Sequence, residues 1–216
     1  MKARPAAFFD VDRTLVVPTS MEKVFVPFLI QRRYLRAPDL GRYLLALALE
    51  LGAGNGGAHH NKYHLKDKDP DELERLAAEC FRSRIRPRIS PVGRAAVDEH
   101  RRQGHLVVLL TGSLEPLAQQ LQEELRADLV LASRLEIKGG ALSGVLSNQR
   151  PYGAEKARLV RELAYSHDID LQRSYAYGDH HSDYKLLSAV GHPHAVNPDP
   201  RLRLRARQEG WPILYF

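Results

Sequence analysis

The sequence predicts an α/β fold, a doubly wound and mostly parallel sheet flanked by helices, with a small helical segment inserted after the first strand. Three observations lead there. A short apolar run, Ala6-Ala7-Phe8-Phe9, ends directly in Asp10, as a buried parallel strand ends at its functional edge. From Val92 onward, apolar strand-like runs alternate with helical patterns. Between Pro18 and Pro91 the pattern is instead almost entirely helical. The expected division is therefore a core formed by 1–17 and 91–216 and an insert over 18–90.

Taken in order, 6–10 is the first core strand. Val24, Phe25, Phe28 and Leu29 recur at helical spacing and predict a helix over 21–33; 40–51 and 71–84 continue in the same period. The glycine-rich stretch 52–57, followed by His59, His60, Lys62, Lys66 and Lys68, has the composition of a mobile loop at a substrate entrance. The core resumes with a helix over 91–103, stopped by Gly104, and a strand over 106–110 that runs into Thr111. A helix over 115–125 and a strand over 129–131 follow. Gly139-Gly140 between short apolar segments predicts a β-hairpin over 134–146. A helix over 154–167, a strand over 175–177, a helix over 183–189 and a strand over 194–196 complete the alternation.

A chain of 216 residues can bury a full core. The 44% hydrophobic and 27% charged residues exclude a disordered or fibrous class. The single cysteine, Cys80, has no internal disulfide partner and falls in a helical pattern that suits a buried thiol. The net charge of +6 favours an anionic partner, but the lysines and arginines are spread along the chain without interleaved aromatics, so no nucleic-acid partner is expected. The stretch 43–51 is apolar but far too short to span a bilayer, which takes about 20 residues; it reads as a packed helix, or one that docks on a membrane surface. The first residues lack the apolar core of a signal peptide, which makes the cytoplasm the expected location. His59, His60 and His64 have no fourth ligand at zinc spacing and read as loop residues.

The chemistry concentrates at Asp10-Val11-Asp12. Carboxylates at i and i+2 of an extended chain point to one side, so both can face one reaction centre. Clustered at a buried strand end they repel unless a cation intervenes, and a hard divalent ion such as Mg2+, which prefers carboxylate, carbonyl and water oxygens, resolves the repulsion. One carboxylate is then free to attack phosphorus.

Asp10-Val11-Asp12-Arg13-Thr14 after an apolar strand resembles the first signature of the haloacid dehalogenase-like superfamily. Thr111 at the end of Leu109-Leu110-Thr111-Gly112-Ser113 matches the second, Lys156 near a helix start the third, and Gly178-Asp179-His180-His181-Ser182-Asp183 the acidic fourth. The ending, from Gly191-His192-Pro193 to Gly210-Trp211-Pro212-Ile213, resembles the subfamily of phosphoserine-phosphatase-like hydrolases. The resemblance implies a Rossmann-like core and a small α-helical cap of the C1 type. It also implies a magnesium-dependent phosphatase acting through an aspartyl-phosphate. Asp10 would be the nucleophile and Asp12 the general acid and base. Thr111, Gly112 and Lys156 would hold the phosphoryl oxygens. The metal would be bound by the side chains of Asp10 and Asp179 and by the main-chain carbonyl of Asp12, with Asp183 either a direct ligand or a partner of those ligands. Arg13 fills a position often held by glycine and would steer anionic substrates; His180 stands where serine is common.

The implied substrate is a small metabolite phosphate, phosphoserine-like or histidinol-phosphate-like. Phosphoserine phosphatases carry a glutamate nine positions beyond the nucleophile, where this chain has Thr19, with Glu22 three residues on. A lipid phosphate such as phosphatidylglycerophosphate, another alcohol as phosphoryl acceptor, and a phosphate-binding homologue of weak activity stay open as alternatives. Lys62, Lys66, Arg32 and Arg33 are candidate substrate contacts.

Overall fold

The computed structural model describes residues 3–52 and 61–216. Its centre is β1 (Ala6–Asp10), paired in parallel with β2 (Leu106–Leu114) on one side and β6 (Tyr175–Gly178) on the other. Beyond β2 lies β3 (Leu129–Ser133); beyond β6 lie β7 (His192–Val196) and β8 (Ile213–Leu214). The six strands are all parallel, in the order β3-β2-β1-β6-β7-β8. The chain thus builds outward from β1 first to one side and then to the other, which makes the gap between the carboxyl ends of β1 and its neighbours a topological switch point.

All five residues of β1 are buried. Ala7 and Phe9 enter one core layer with Val97 of α4 (Pro91–Arg102) and Leu117 and Leu121 of α5 (Glu115–Leu125). Ala6 and Phe8 enter the other, with Val160 of α6 (Ala154–Ser166), Leu186 of α7 (Tyr184–Leu187) and Leu202 of α8 (Pro200–Glu209). Covering on both faces is why the strand reads as an unbroken apolar run rather than an alternation.

Between β1 and α4 lie α1 (Met21–Gln31), α2 (Ala37–Gly52) and α3 (Pro70–Cys80). Ser20 caps α1 by accepting from Lys23 N, and Asp69 caps α3 ahead of Pro70. Cys80 is buried, and burial pushes its thiol up to about 11. The helix expected over 71–84 ends as α3 at Cys80. The chain continues as a π-turn, Phe81–Ile85, and a 3-10 turn, Arg86–Arg88, because Pro87 supplies no N–H to extend the ladder. The outgoing and returning segments then run side by side, with Val17 N donating to Arg88 O at 2.9 Å and Val16 bridging Ile89.

The predicted hairpin is β4 (Leu135–Lys138) and β5 (Ala141–Leu146), its two-residue turn made by Gly139 and Gly140, both at positive φ. It grips the segment 61–68: Lys62 N donates to Gly144 O at 2.7 Å, Asp67 N to Leu142 O at 2.8 Å, and Leu142 N to Lys68 O at 2.9 Å.

Other departures are local. β2 runs four residues past the predicted end at Leu110, with a register shift against β3. The helix expected over 183–189 is a 3-10 turn, His181–Asp183, followed by the short α7. α8 and β8 had no sequence expectation. The expected helix over 40–51 falls within α2, whereas the stretch 53–60, with His59 and His60, lies outside the described residues. Among the described residues no helix is long and apolar enough to cross a membrane.

Candidate active site

Asp10 ends β1, Asp179 follows β6, and Asp183 closes the 3-10 turn after it. The three are 5%, 4% and 2% exposed, and a carboxylate oxygen from each lies within 4.8 Å of the others. Three acids from two distant parts of the chain are therefore packed against one another out of water. One cation is inserted among them: Lys156, buried in the first turn of α6, donates to Asp183 Oδ1 at 2.8 Å and to Asp10 Oδ1. Thr14 Oγ1 donates to the other Asp10 oxygen at 2.8 Å and so fixes the orientation of that carboxylate.

One ammonium does not balance three acids in a low-dielectric site. Burial first, and then the neighbouring acids, push Asp10 up to about 7 against the pull of Lys156, and Asp179 up to about 8. Lys156 is pushed upward because Asp10 and Asp183 outweigh the cost of its burial. This all-oxygen donor set with surplus negative charge suits a hard divalent cation. Arg13 supplies part of the compensation through an ion pair with Asp179 Oδ2 at 2.9 Å. Its φ of 68° is left-handed, the conformation glycine adopts most easily, and Asn197 Nδ2 supports the turn by donating to Arg13 O at 3.1 Å.

Asp12 is held separately from this trio. Thr111 Oγ1 donates to Asp12 Oδ2 at 2.8 Å, Ser113 Oγ to the same oxygen at 2.9 Å, and Met21 N to Oδ1 at 2.7 Å. The start of α1 is thereby tied to the residue two places beyond Asp10. Thr111 and Ser113 reach the same carboxylate because residues two apart on β2 project to one side. Gly112, between them, turns its Cα towards Arg150, where an added Cβ would stand 2.6 Å from the guanidinium Nε. Arg150 Nε donates to Gly112 O at 3.3 Å.

The structure thus gathers Asp10, Asp12, Thr111, Lys156, Asp179 and Asp183 at the carboxyl ends of the central strands, with Gly112 and Arg13 beside them. Of the candidate substrate contacts, Lys62 is buried and donates to Glu22 Oε2 at 2.8 Å, next to the Met21 amide that binds Asp12. Arg32 instead pairs with Glu79 on the far side of α1, and Arg33 and Lys66 are exposed. His180 accepts from Ser182 N and lies 3.4 Å from Asp199, outside the acidic trio. The sequence did not single out Ser113 or Arg150 for a role. Ser113 stood inside a recognised motif, while nothing local marks Arg150, which approaches Gly112 from 38 residues away.

A sequence model described as haloacid dehalogenase-like hydrolase matches residues 7–188. Among curated proteins the chain is 33% identical to an "Inhibition of morphological differentiation protein" of Streptomyces azureus, over 99% of this chain and 79% of that one. It is 34% identical to the phosphoserine phosphatase SerB1 of Mycobacterium tuberculosis, over 98% and 70%. Among solved structures, a protein of unknown function from Bordetella pertussis superposes with a TM-score of 0.84 at 25% identity, covering 99% of both chains.

Proposed function

The chain belongs to the haloacid dehalogenase-like hydrolases and is a phosphatase of that family, and from that premise we propose that it hydrolyses a small phosphomonoester through an aspartyl-phosphate formed on Asp10. The observation that carries this reading is the buried set of Asp10, Asp179, Asp183 and Lys156, with Asp12 held alongside by Thr111 and Ser113.

Asp10 attacks phosphorus as its ester P–O bond breaks, and Asp12 gives a proton to the departing alkoxide. Water then attacks the phosphorus of the aspartyl-phosphate and yields a proton to Asp12, which releases phosphate and restores Asp10. Lys156 and the Gly112 amide hold the phosphoryl oxygens and meet the charge that builds on them, joined by the Thr111 hydroxyl once its single proton turns from Asp12 to the substrate. Asp10, Asp179 and Asp183, with the Asp12 carbonyl, would hold Mg2+, which supplies charge neutralisation and orientation of the phosphoryl group. The segment 18–90 acts as a cap over this site and excludes water during the first displacement.

A phosphorylated amino acid or related amine is the substrate class favoured here. Glu22 Oε1 is buried and has no hydrogen-bond partner among the described residues, while Lys62 occupies the other oxygen. The pair offers an acceptor for a substrate ammonium beside Asp12. The phosphoserine phosphatase relative agrees with that class.

The test is phosphate release from phosphoserine, histidinol phosphate, sugar phosphates and phosphatidylglycerophosphate, each with Mg2+ and with chelator. Turnover that needs Mg2+ and falls by about a thousandfold or more in Asp10→Asn is expected, because an amide cannot serve as the nucleophile. Activity in that variant within about tenfold of the parent would sink the covalent mechanism.

A further inference from the structure

Beside the acidic trio, but sharing no residue with it, two imidazoles and a carboxylate meet at the start of α8. His180 and His181 come from the turn that follows β6, and Asp199 caps α8. His181 Nδ1 lies 2.8 Å and His180 Nε2 3.4 Å from the same oxygen, Asp199 Oδ2. Among the described residues, only this cluster and the acidic trio bring three side chains of metal-binding type together with a ligand atom from each within 4.8 Å of the others. Elsewhere histidines meet other rings: His100 contacts His105 and Tyr177, and His192 and His194 stack on Tyr175 and Tyr177.

Hydrogen bonding alone does not account for this convergence. Asp199 Oδ1 is taken by Leu202 N at 2.7 Å, as the cap requires. Oδ2 already accepts from His181 N at 3.0 Å, so the two ring nitrogens bring a second and a third approach to one oxygen, which has about two lone-pair sites. A cation placed between the rings and the oxygen uses a lone pair from each. In a tetrahedral shell with bonds of about 2.1 Å, neighbouring ligand atoms stand about 3.4 Å apart. The His180 separation already has that value, and the shorter His181 separation has only to open by roughly half an ångström. With a metal on Nε2, His180 carries its proton on Nδ1, where Ser182 Oγ at 3.0 Å accepts it in place of the longer contact from Ser182 N at 3.3 Å. The His181 side chain is 43% exposed, which gives an ion access from solvent.

We propose that His180, His181 and Asp199 form a second metal site, for Zn2+ rather than Mg2+, with water completing its shell. Two ring nitrogens and one carboxylate oxygen suit a borderline cation, whereas the all-oxygen acidic trio suits a hard one. Zinc bound here fastens the turn after β6 to the start of α8. That turn carries Asp179, whose carbonyl accepts from Asp199 N at 2.8 Å, so the site grips the segment that delivers an acid to the trio without itself supplying a group to it.

The test is the Zn2+ affinity of the full chain at pH 7.5, read by competition with a chromogenic chelator in excess Mg2+. Asp10→Asn/Asp179→Asn, which removes two of the three buried acids, is expected to keep one zinc of undiminished affinity. In that background, His181→Ala at its exposed position is expected to weaken zinc binding by about tenfold or more, and His180→Ala/His181→Ala to weaken it further. Asp199→Asn, which keeps an oxygen for the Leu202 amide, is expected to weaken it as well. His59→Ala/His60→Ala, the same dipeptide elsewhere in the chain, is expected to leave it unaltered. Zinc binding that disappears with Asp10 and Asp179, or that falls no further in His180→Ala/His181→Ala than in His59→Ala/His60→Ala, would overturn the site; a chain that takes up no zinc in excess Mg2+ would overturn the choice of ion.

Discussion

At the scale of single residues, the acid–base role proposed for Asp12 depends on a pair of hydroxyls. Thr111 and Ser113 both donate to Asp12 Oδ2, and Ser113, with Met21 N on Oδ1, keeps the carboxylate in place when Thr111 turns to the phosphoryl group. Ser113→Ala removes one donor and leaves the other. A hydrogen bond to a charged carboxylate contributes about 1.5–3 kcal/mol, so kcat/KM is expected to fall by about tenfold to a hundredfold, with recovery in Ser113→Thr. An unchanged rate in Ser113→Ala would mean that Thr111 and Met21 N suffice. This residue stood in plain view beside Thr111, yet its role needs the distance to Asp12, which lies 101 residues away in sequence.

At the scale of elements, β6 and β7 carry an aromatic and histidine array on one face of the sheet. Tyr177 stacks on Phe9 at 4.4 Å and on His194 at 4.8 Å. His100, from α4, contacts the Tyr177 hydroxyl through Nε2 and His105 through Nδ1, each at 2.8 Å. Burial, with the neighbouring histidines, lowers His100 to about 4. The unfolded chain therefore takes up this proton at higher pH than the folded one, and stability is lost as pH falls from about 6.5 towards 4. Asp10 and Asp179, pushed upward, contribute with the opposite sign, so the informative quantity is a difference between variants. Urea denaturation at pH 7.5 and at pH 4.5 is expected to show a loss about 2 kcal/mol larger in the parent than in His100→Gln, whose amide cannot take the proton. Equal losses would show that His100 does not bind that proton in the unfolded chain alone. His100 reads as an ordinary polar residue at the end of a helix, and only the packing of α4 on β6 puts it in the core.

At the scale of the whole molecule, the doubly wound sheet forces the acid that ends β1 and the two that follow β6 into one water-poor space. The fold tolerates this at a cost, with Lys156 and Arg13 offsetting part of it. A ligand that binds only the folded chain returns that cost as stability. If Mg2+ occupies the site with millimolar affinity, a tenfold excess over Kd stabilises the protein by about 1.4 kcal/mol. Thermal unfolding is expected to shift upward with Mg2+ in the parent and not in Asp179→Asn. A shift of equal size in both would place the metal elsewhere.

Several features follow from the chain alone, because their causes are local. An apolar run ending in Asp10 is a buried parallel strand wherever it sits, Pro and Ser or Asp at helix starts set their own caps, and Gly139-Gly140 makes its own turn. The positions proposed for the metal and the phosphoryl group are legible for a similar reason: each stands at a strand end or helix start, where short motifs are rigid. What the chain could not declare are relations across long separations. The pairing of Lys62 with Glu22, 40 residues apart, and the approach of Arg150 to Gly112, 38 residues apart, depend on which surfaces meet when the chain packs. Local propensity carries no record of that encounter; side-chain packing and the balance of buried charge decide it.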